Sequence, residues 1–227
     1  MSDLPAADGG RRLTVVGCGT VVPEADRSCS AYLLEADGVS ALLDCGPGTV
    51  RALARVGADW AGVTDLWVSH FHTDHVGDIP GLLFALKWGL LPRRRTAPLT
   101  VWGPRGTRRM LEAFAAATGP HVLEPGFAVT VREIDPGDTA RFAGGLELRA
   151  LSTPHTEESL ALRVEGPDVS LTYTGDTGPA VALGEFAAGT DLFICECSLP
   201  DELVGDNHLG PTAVARFAAA AAPALLL

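Results

Sequence analysis

The stretch Val68-Ser69-His70-Phe71-His72-Thr73-Asp74-His75 decides how this chain is read. Three imidazoles and one carboxylate fall within six residues. The run before them, Asp65 to Ser69, has the length and apolar content of a short buried strand. The run after them, from Gly77 through Ile79, Leu82, Leu83 and Leu86, predicts the start of a helix. The cluster is therefore expected in a tight loop at a strand end, where a few neighbouring side chains converge. Neutral imidazole and carboxylate together suit borderline divalent ions such as zinc. The competing reading is a solvated loop that is merely rich in histidine.

Other strand ends carry polar residues in the same way. Ser30 to Glu35 and Val39 to Asp44 read as a hairpin turning at Asp37-Gly38, and the second strand ends at Asp44. Taken locally, Asp44 is an N-cap for a helix over Thr49 to Val56. Leu146 to Leu151 leads to His155, and a lone histidine is more often exposed or satisfied than a ligand. Val169 to Thr174 ends in Gly175-Asp176-Thr177-Gly178, where glycines allow close backbone approach. Asp191 to Cys195 leads to Glu196, and an unpaired buried carboxylate costs on the order of several kcal/mol. Glu196 is thus expected to have a partner, with His208 the leading candidate. Pro211 then opens an alanine-rich helix to Ala222. His121 lies away from every motif and receives no role.

With 227 residues, 47% of them hydrophobic, the chain can bury a large core and is expected to form one domain over 1–227, with 1–11 flexible. No apolar run reaches membrane length, and the polar start carries no signal-peptide pattern, so a cytoplasmic protein is expected. The net charge of −11 argues mildly against a large polyanionic partner. One segment runs against that trend: Arg93, Arg94, Arg95, Arg105, Arg108 and Arg109 form either a solvated face or a phosphate-facing patch. The five cysteines show no paired zinc-knuckle spacing and read mostly as buried free thiols.

The H-x-H-x-D-H string after a hydrophobic strand resembles the metallo-β-lactamase-fold hydrolases. Trp102-Gly103-Pro104, Thr174-Gly175-Asp176-Thr177 and the H-L-x-x-T string from His208 resemble the branch of ribonuclease Z and related cyclic-nucleotide phosphodiesterases. The resemblance runs from Leu13 to Leu227. It implies an αββα sandwich, two facing mixed sheets with helices outside. It also implies two divalent ions, zinc first, with manganese or iron as alternatives. One ion would take His70, His72 and His155, the other Asp74 and His75, with Asp176 shared. Asp44 would sit beside that site and orient a ligand. Water activated between the ions would be the nucleophile, Asp74 would join the catalytic group, and His208, oriented by Glu196, would protonate the leaving oxygen. In the family a strand such as Ala224 to Leu227 leads to one more histidine, and the sequence is expected to stop short of it.

Twenty residues separate His155 from Asp176, room for one hairpin but not for the long arm with which tRNA-processing members hold their substrate. The leading expectation is therefore hydrolysis of a small phosphodiester such as a cyclic nucleotide. A tRNA 3′-processing endonuclease acting on an RNA 3′ end is the first alternative. Lactone, thioester or β-lactam hydrolysis, and a metal-binding sensor or inactive scaffold, are the others. No membrane partner is expected, and family members are often homodimers.

Overall fold

Alternating apolar runs build two compact units, Met1–Glu133 and Ile134–Leu227, in the computed structural model. The structure describes residues 10–36, 38–141, 145–167 and 169–227. The expected turn residue Asp37 and most of the polar start lie outside them.

In the first unit, six strands lie side by side in chain order: β1 (Arg12–Gly17), β2 (Ala31–Ala36), β3 (Val39–Leu43), β4 (Asp65–Trp67), β5 (Leu99–Gly103) and β6 (Val129–Glu133). The first three pair antiparallel, and β3 to β6 run parallel. Parallel neighbours need long crossovers. These contain α1 (Thr49–Arg55), then α2 (Thr73–Val76) and α3 (Ile79–Trp88), then α4 (Thr107–Thr118). Ile79, Leu82, Leu83 and Leu86 repeat at helical spacing, and all are fully buried. They join Leu33, Leu42, Leu66 and Val101 of the sheet and Leu53 and Leu111 of the other helices in one core. The register pairs Leu43 with Trp67, so the carboxyl ends of β3 and β4 lie side by side.

The histidine cluster is not loop throughout. Val76 N bonds to His72 O at 3.2 Å and Gly77 N to Thr73 O at 2.8 Å, closing one helical turn over Thr73–Val76. The arginine-rich segment also divides. Arg95 is buried and gives its donors to the carbonyls of Ala97, Ala61, Val63 and Pro98, a structural clasp. Arg93, Arg94, Arg105, Arg108 and Arg109 are exposed.

The second unit holds β7 (Thr139–Arg141), β8 (Glu147–Ser152), β9 (Leu160–Gly166), β10 (Val169–Tyr173), β11 (Leu192–Ile194) and β12 (Leu225–Leu226), again in chain order. β7 to β10 pair antiparallel and β10 to β12 parallel. The short helix α5 (Val181–Phe186) and α6 (Pro211–Ala221) form the crossovers, packing Leu183, Ala187, Phe217 and Ala221 with Phe193 and Ala161. The interval from His155 to Asp176 contains the β9–β10 hairpin. No helix among the described residues is long and apolar enough to cross a membrane.

Candidate metal centre

Each unit presents imidazoles and a carboxylate at strand ends. In the first unit, the side-by-side ends of β3 and β4 bring Asp44 to Ser69 and His75. Asp44 Oδ1 accepts from Ser69 N at 2.8 Å, and Oδ2 accepts from Ser69 Oγ at 2.7 Å. His75 Nδ1 lies 2.6 Å from Asp44 Oδ2. Asp44 is therefore not the N-cap of α1: that position is Gly48, with no side-chain cap bond, while Val50 N is met by Asp78 Oδ2 at 3.0 Å. Asp44 holds a left-handed φ of 58°, a conformation Asp tolerates better than most residues.

These bonds fix the proton positions. A carboxylate only accepts, so His75 carries its hydrogen on Nδ1 and leaves the Nε2 lone pair for a ligand bond. Ser69 Oγ gives its hydrogen to Asp44, so it accepts from His70 Nδ1 at 3.0 Å. His70 thus takes the same tautomer. His72 sits at the head of α2 with its ring 4.7 Å from that of His70, and Asp74 Oδ2 lies 3.9 Å from His75 Nε2.

The second unit repeats the logic. His155 Nδ1 donates to Asn207 O at 2.8 Å, leaving Nε2, which lies 3.7 Å from Asp176 Oδ2. His155, Asp176 and His208 each bring a ligand atom into one group. Two atoms that each sit about 2.0–2.2 Å from one zinc ion are at most roughly 4.4 Å apart, and both Asp–His separations meet that limit. Donor type, tautomer and spacing therefore fit a divalent metal.

Glu196 is the second unit's hub, with a side chain only 6% exposed. Oε1 accepts from Thr177 N at 2.6 Å and lies 3.1 Å from His208 Nδ1; Oε2 accepts from Ser198 Oγ at 2.6 Å and Leu209 N at 3.2 Å. The carboxylate thus ties the loop after Asp176 to the His208 segment. His208 Nδ1 is 4.0 Å from Asp176 Oδ2. Asp201 fixes the other flank, accepting from Thr212 N at 3.1 Å and Thr212 Oγ1 at 2.6 Å. These two bonds, the hydroxyl first, hold the Asp201 carboxyl below its ordinary range.

Several of these residues were not singled out from sequence: Ser69, Asn207, Thr177, Ser198 and Asp201. The expectation of mostly buried thiols is also corrected. Cys45 and Cys195 are buried, Cys29 is half-buried, and Cys18 and Cys197 are exposed. Burial first, then the Glu196 charge, pushes the Cys195 thiol up to about 12. His121 packs edge-on against Phe84, with ring centroids 5.1 Å apart.

The fold and the donor sets define a class, and the comparison with known families agrees. Residues 25–217 match the metallo-beta-lactamase superfamily, and the chain belongs to it. Ribonuclease Z of Haloferax volcanii is 34% identical over 213 residues, covering 89% of this chain and 64% of that protein. Ribonuclease Z of Halorubrum lacusprofundi is 37% identical over 69% of this chain and 48% of its own length. The chain thus spans between about half and two thirds of these curated relatives. An uncharacterized Mycobacterium leprae protein, ML1173, is 35% identical over 95% of this chain and 76% of its own. Human tRNase Z, short form, shares the fold with a TM-score of 0.81 at 22% identity, over 94% of this chain and 90% of that one. YhfI of Bacillus subtilis does so with a TM-score of 0.81 at 24% identity, over 96% and 85%.

Proposed function

We propose that this chain carries the hydrolytic centre of a metal-dependent phosphodiesterase of ribonuclease Z type, cutting RNA near a 3′ end. In this reading His70, His72, Asp74, His75, His155 and Asp176 hold two divalent ions, zinc first. Such ions, when bound, activate water and offset charge on the phosphoryl oxygens. The observation that carries the choice of bond is the Glu196–His208 pair beside Asp176. An alkoxide leaving group needs a proton as the bond to phosphorus breaks, whereas the thiolate that leaves from a thioester makes less of that demand. Glu196 fixes His208 Nδ1 and stabilises the imidazolium, so that Nε2 delivers the proton to the leaving oxygen. Asp74 orients the attacking water, and Asp44 keeps His75 in its ligand tautomer. The names of the curated relatives support RNA over other phosphodiesters.

A second reading keeps the chemistry and changes the substrate to a small phosphodiester such as a cyclic nucleotide. The lone β9–β10 hairpin between His155 and Asp176 favours it, since no substrate-holding arm is inserted there. The test is turnover of a 3′-extended tRNA beside 3′,5′-cyclic AMP, with zinc or manganese supplied. Cleavage of the tRNA supports the first reading, and turnover of the cyclic nucleotide alone transfers the case to the second. His208→Ala is expected to lower turnover by about a hundredfold or more. Hydrolysis of neither substrate would reject the phosphodiester reading.

A further inference from the structure

The first unit contains a cavity that the chemistry above does not use. It measures about 510 Å³ and is bounded by the segment from Thr20 to Cys29, the start of α1, and Thr73 and Asp74. That volume lies inside the range of small-molecule sites, about 300–1,000 Å³. The wall is pinned in place. Gly19 N bonds to Ser28 O at 2.8 Å, Cys29 N to Pro47 O at 3.2 Å, and Ser28 Oγ to Gly48 O at 3.2 Å. It also abuts the backbone of the histidine cluster. A Cβ on Gly46 would stand 1.8 Å from Asp74 O and 2.6 Å from Cys29 Cβ, so only glycine permits that approach.

The lining combines two chemistries. Val21 and Val22 are 72% and 62% exposed, beside exposed Pro23 and Pro47, an apolar surface standing open to water. Around it stand three guanidinium groups. Arg27 lies 3.5 Å from Glu24 Oε2, and Arg55 donates to Asp26 O at 3.3 Å. Arg51, exposed on α1, is engaged by no side-chain bond or ion pair among the described residues. Aliphatic and proline faces suit a flat base, while an uncommitted guanidinium suits a phosphate.

We propose that this cavity seats the nucleotide next to the scissile phosphate, its base against Val21, Val22 and Pro23 and its own phosphate on Arg51. The proposal rests on the phosphodiesterase reading and narrows it. A cyclic mononucleotide has one phosphate, the scissile one, and leaves Arg51 without an anion. A polynucleotide supplies a second phosphate one residue along.

The test is calorimetric titration of the zinc-loaded full chain with adenosine 3′,5′-bisphosphate and with adenosine 5′-monophosphate. The bisphosphate should bind about tenfold more tightly, the scale of one charge-assisted contact. Arg51→Gln should remove that difference, and Ala25→Trp, at an exposed lining position, should weaken both ligands. Arg132→Gln, on β6 and outside the cavity lining, should change neither. Equal affinity for the two ligands, or a bisphosphate preference that survives Arg51→Gln, overturns the proposal. Hydrolysis of bis(p-nitrophenyl) phosphate by the unmodified chain is read separately. Its absence defeats the phosphodiesterase reading, while the titrations still decide what the cavity binds.

Discussion

Asp44 illustrates what one side chain does here and why its neighbours in sequence do not reveal it. Its acceptor bonds reach Ser69 and His75, which lie 25 and 31 residues further along the chain. The histidine string was legible because its donors are neighbours in sequence. The Asp44 contacts were not legible from local sequence, where only the family resemblance pointed to a ligand-orienting role, because they exist only once β3 and β4 pair in parallel. Glu196 is the intermediate case: its need for a partner could be read from a carboxylate after a buried strand, but its bonds to Thr177 and Ser198 could not. Asp44→Asn keeps a residue that accepts the left-handed backbone but halves the carboxylate's capacity as an acceptor. Metal affinity is expected to fall by about tenfold to a hundredfold, with the circular dichroism spectrum unchanged. Competitive titration against a chromophoric chelator measures it, and wild-type affinity in the variant would show that Asp44 does not hold His75 for the metal.

At the scale of elements, the long periodic segments were readable and the short ones were not. α3 and α6 announced themselves by apolar spacing and by Pro211, whereas α2, β7 and α5 are held by backbone and tertiary contacts rather than by pattern. Two contacts at element edges carry predictions. On β9, burial pushes the Glu165 carboxyl up, but hydrogen bonds from Arg163 and then Arg149 outweigh it and leave it below its usual range. Arg163 places Nε and Nη2 on Glu165 Oε1 at 2.9 and 2.7 Å. A depressed carboxylate stabilises above its unfolded value, near 4.5, and that contribution is lost as pH falls toward the folded value. The side chain is 32% exposed, so screening limits the effect to about 1 kcal/mol. Urea unfolding of Glu165→Gln should show that deficit at pH 7 and little of it at pH 3. At the head of α6, Asp201→Ala frees Thr212 and with it the segment behind His208. We expect kcat to fall about tenfold with KM and metal content unchanged, and partial recovery in Asp201→Asn, whose carbonyl still accepts. A matching loss of metal would show that Asp201 merely holds the fold.

The whole molecule adds a constraint that no single site reveals. A chain of net charge −11 repels a polyanion at long range, so the proposed RNA substrate would have to be met by local cations. Exposed candidates are Arg51 beside the Asp74 cavity and Arg93, Arg94, Arg105, Arg108 and Arg109 on the first unit. Arg95 is excluded, because its donors are spent on backbone carbonyls and Phe127 covers its guanidinium at 5.0 Å. Each phosphate neutralised on a single strand contributes about −0.7 to the slope of log affinity against log salt. Engagement of three phosphates therefore predicts a slope of about −2 for an RNA 3′ end under subsaturating turnover. A neutral-armed ester such as bis(p-nitrophenyl) phosphate, with one charge at the reacting centre, should give a much shallower line. Arg108→Gln with Arg109→Gln should flatten the RNA slope by about 1 and leave the ester's unchanged if that face tracks the strand. Equal slopes for the two substrates would mean that no arginine outside the reacting centre meets a phosphate, and the small-phosphodiester reading would then account for the absence of an arm between His155 and Asp176.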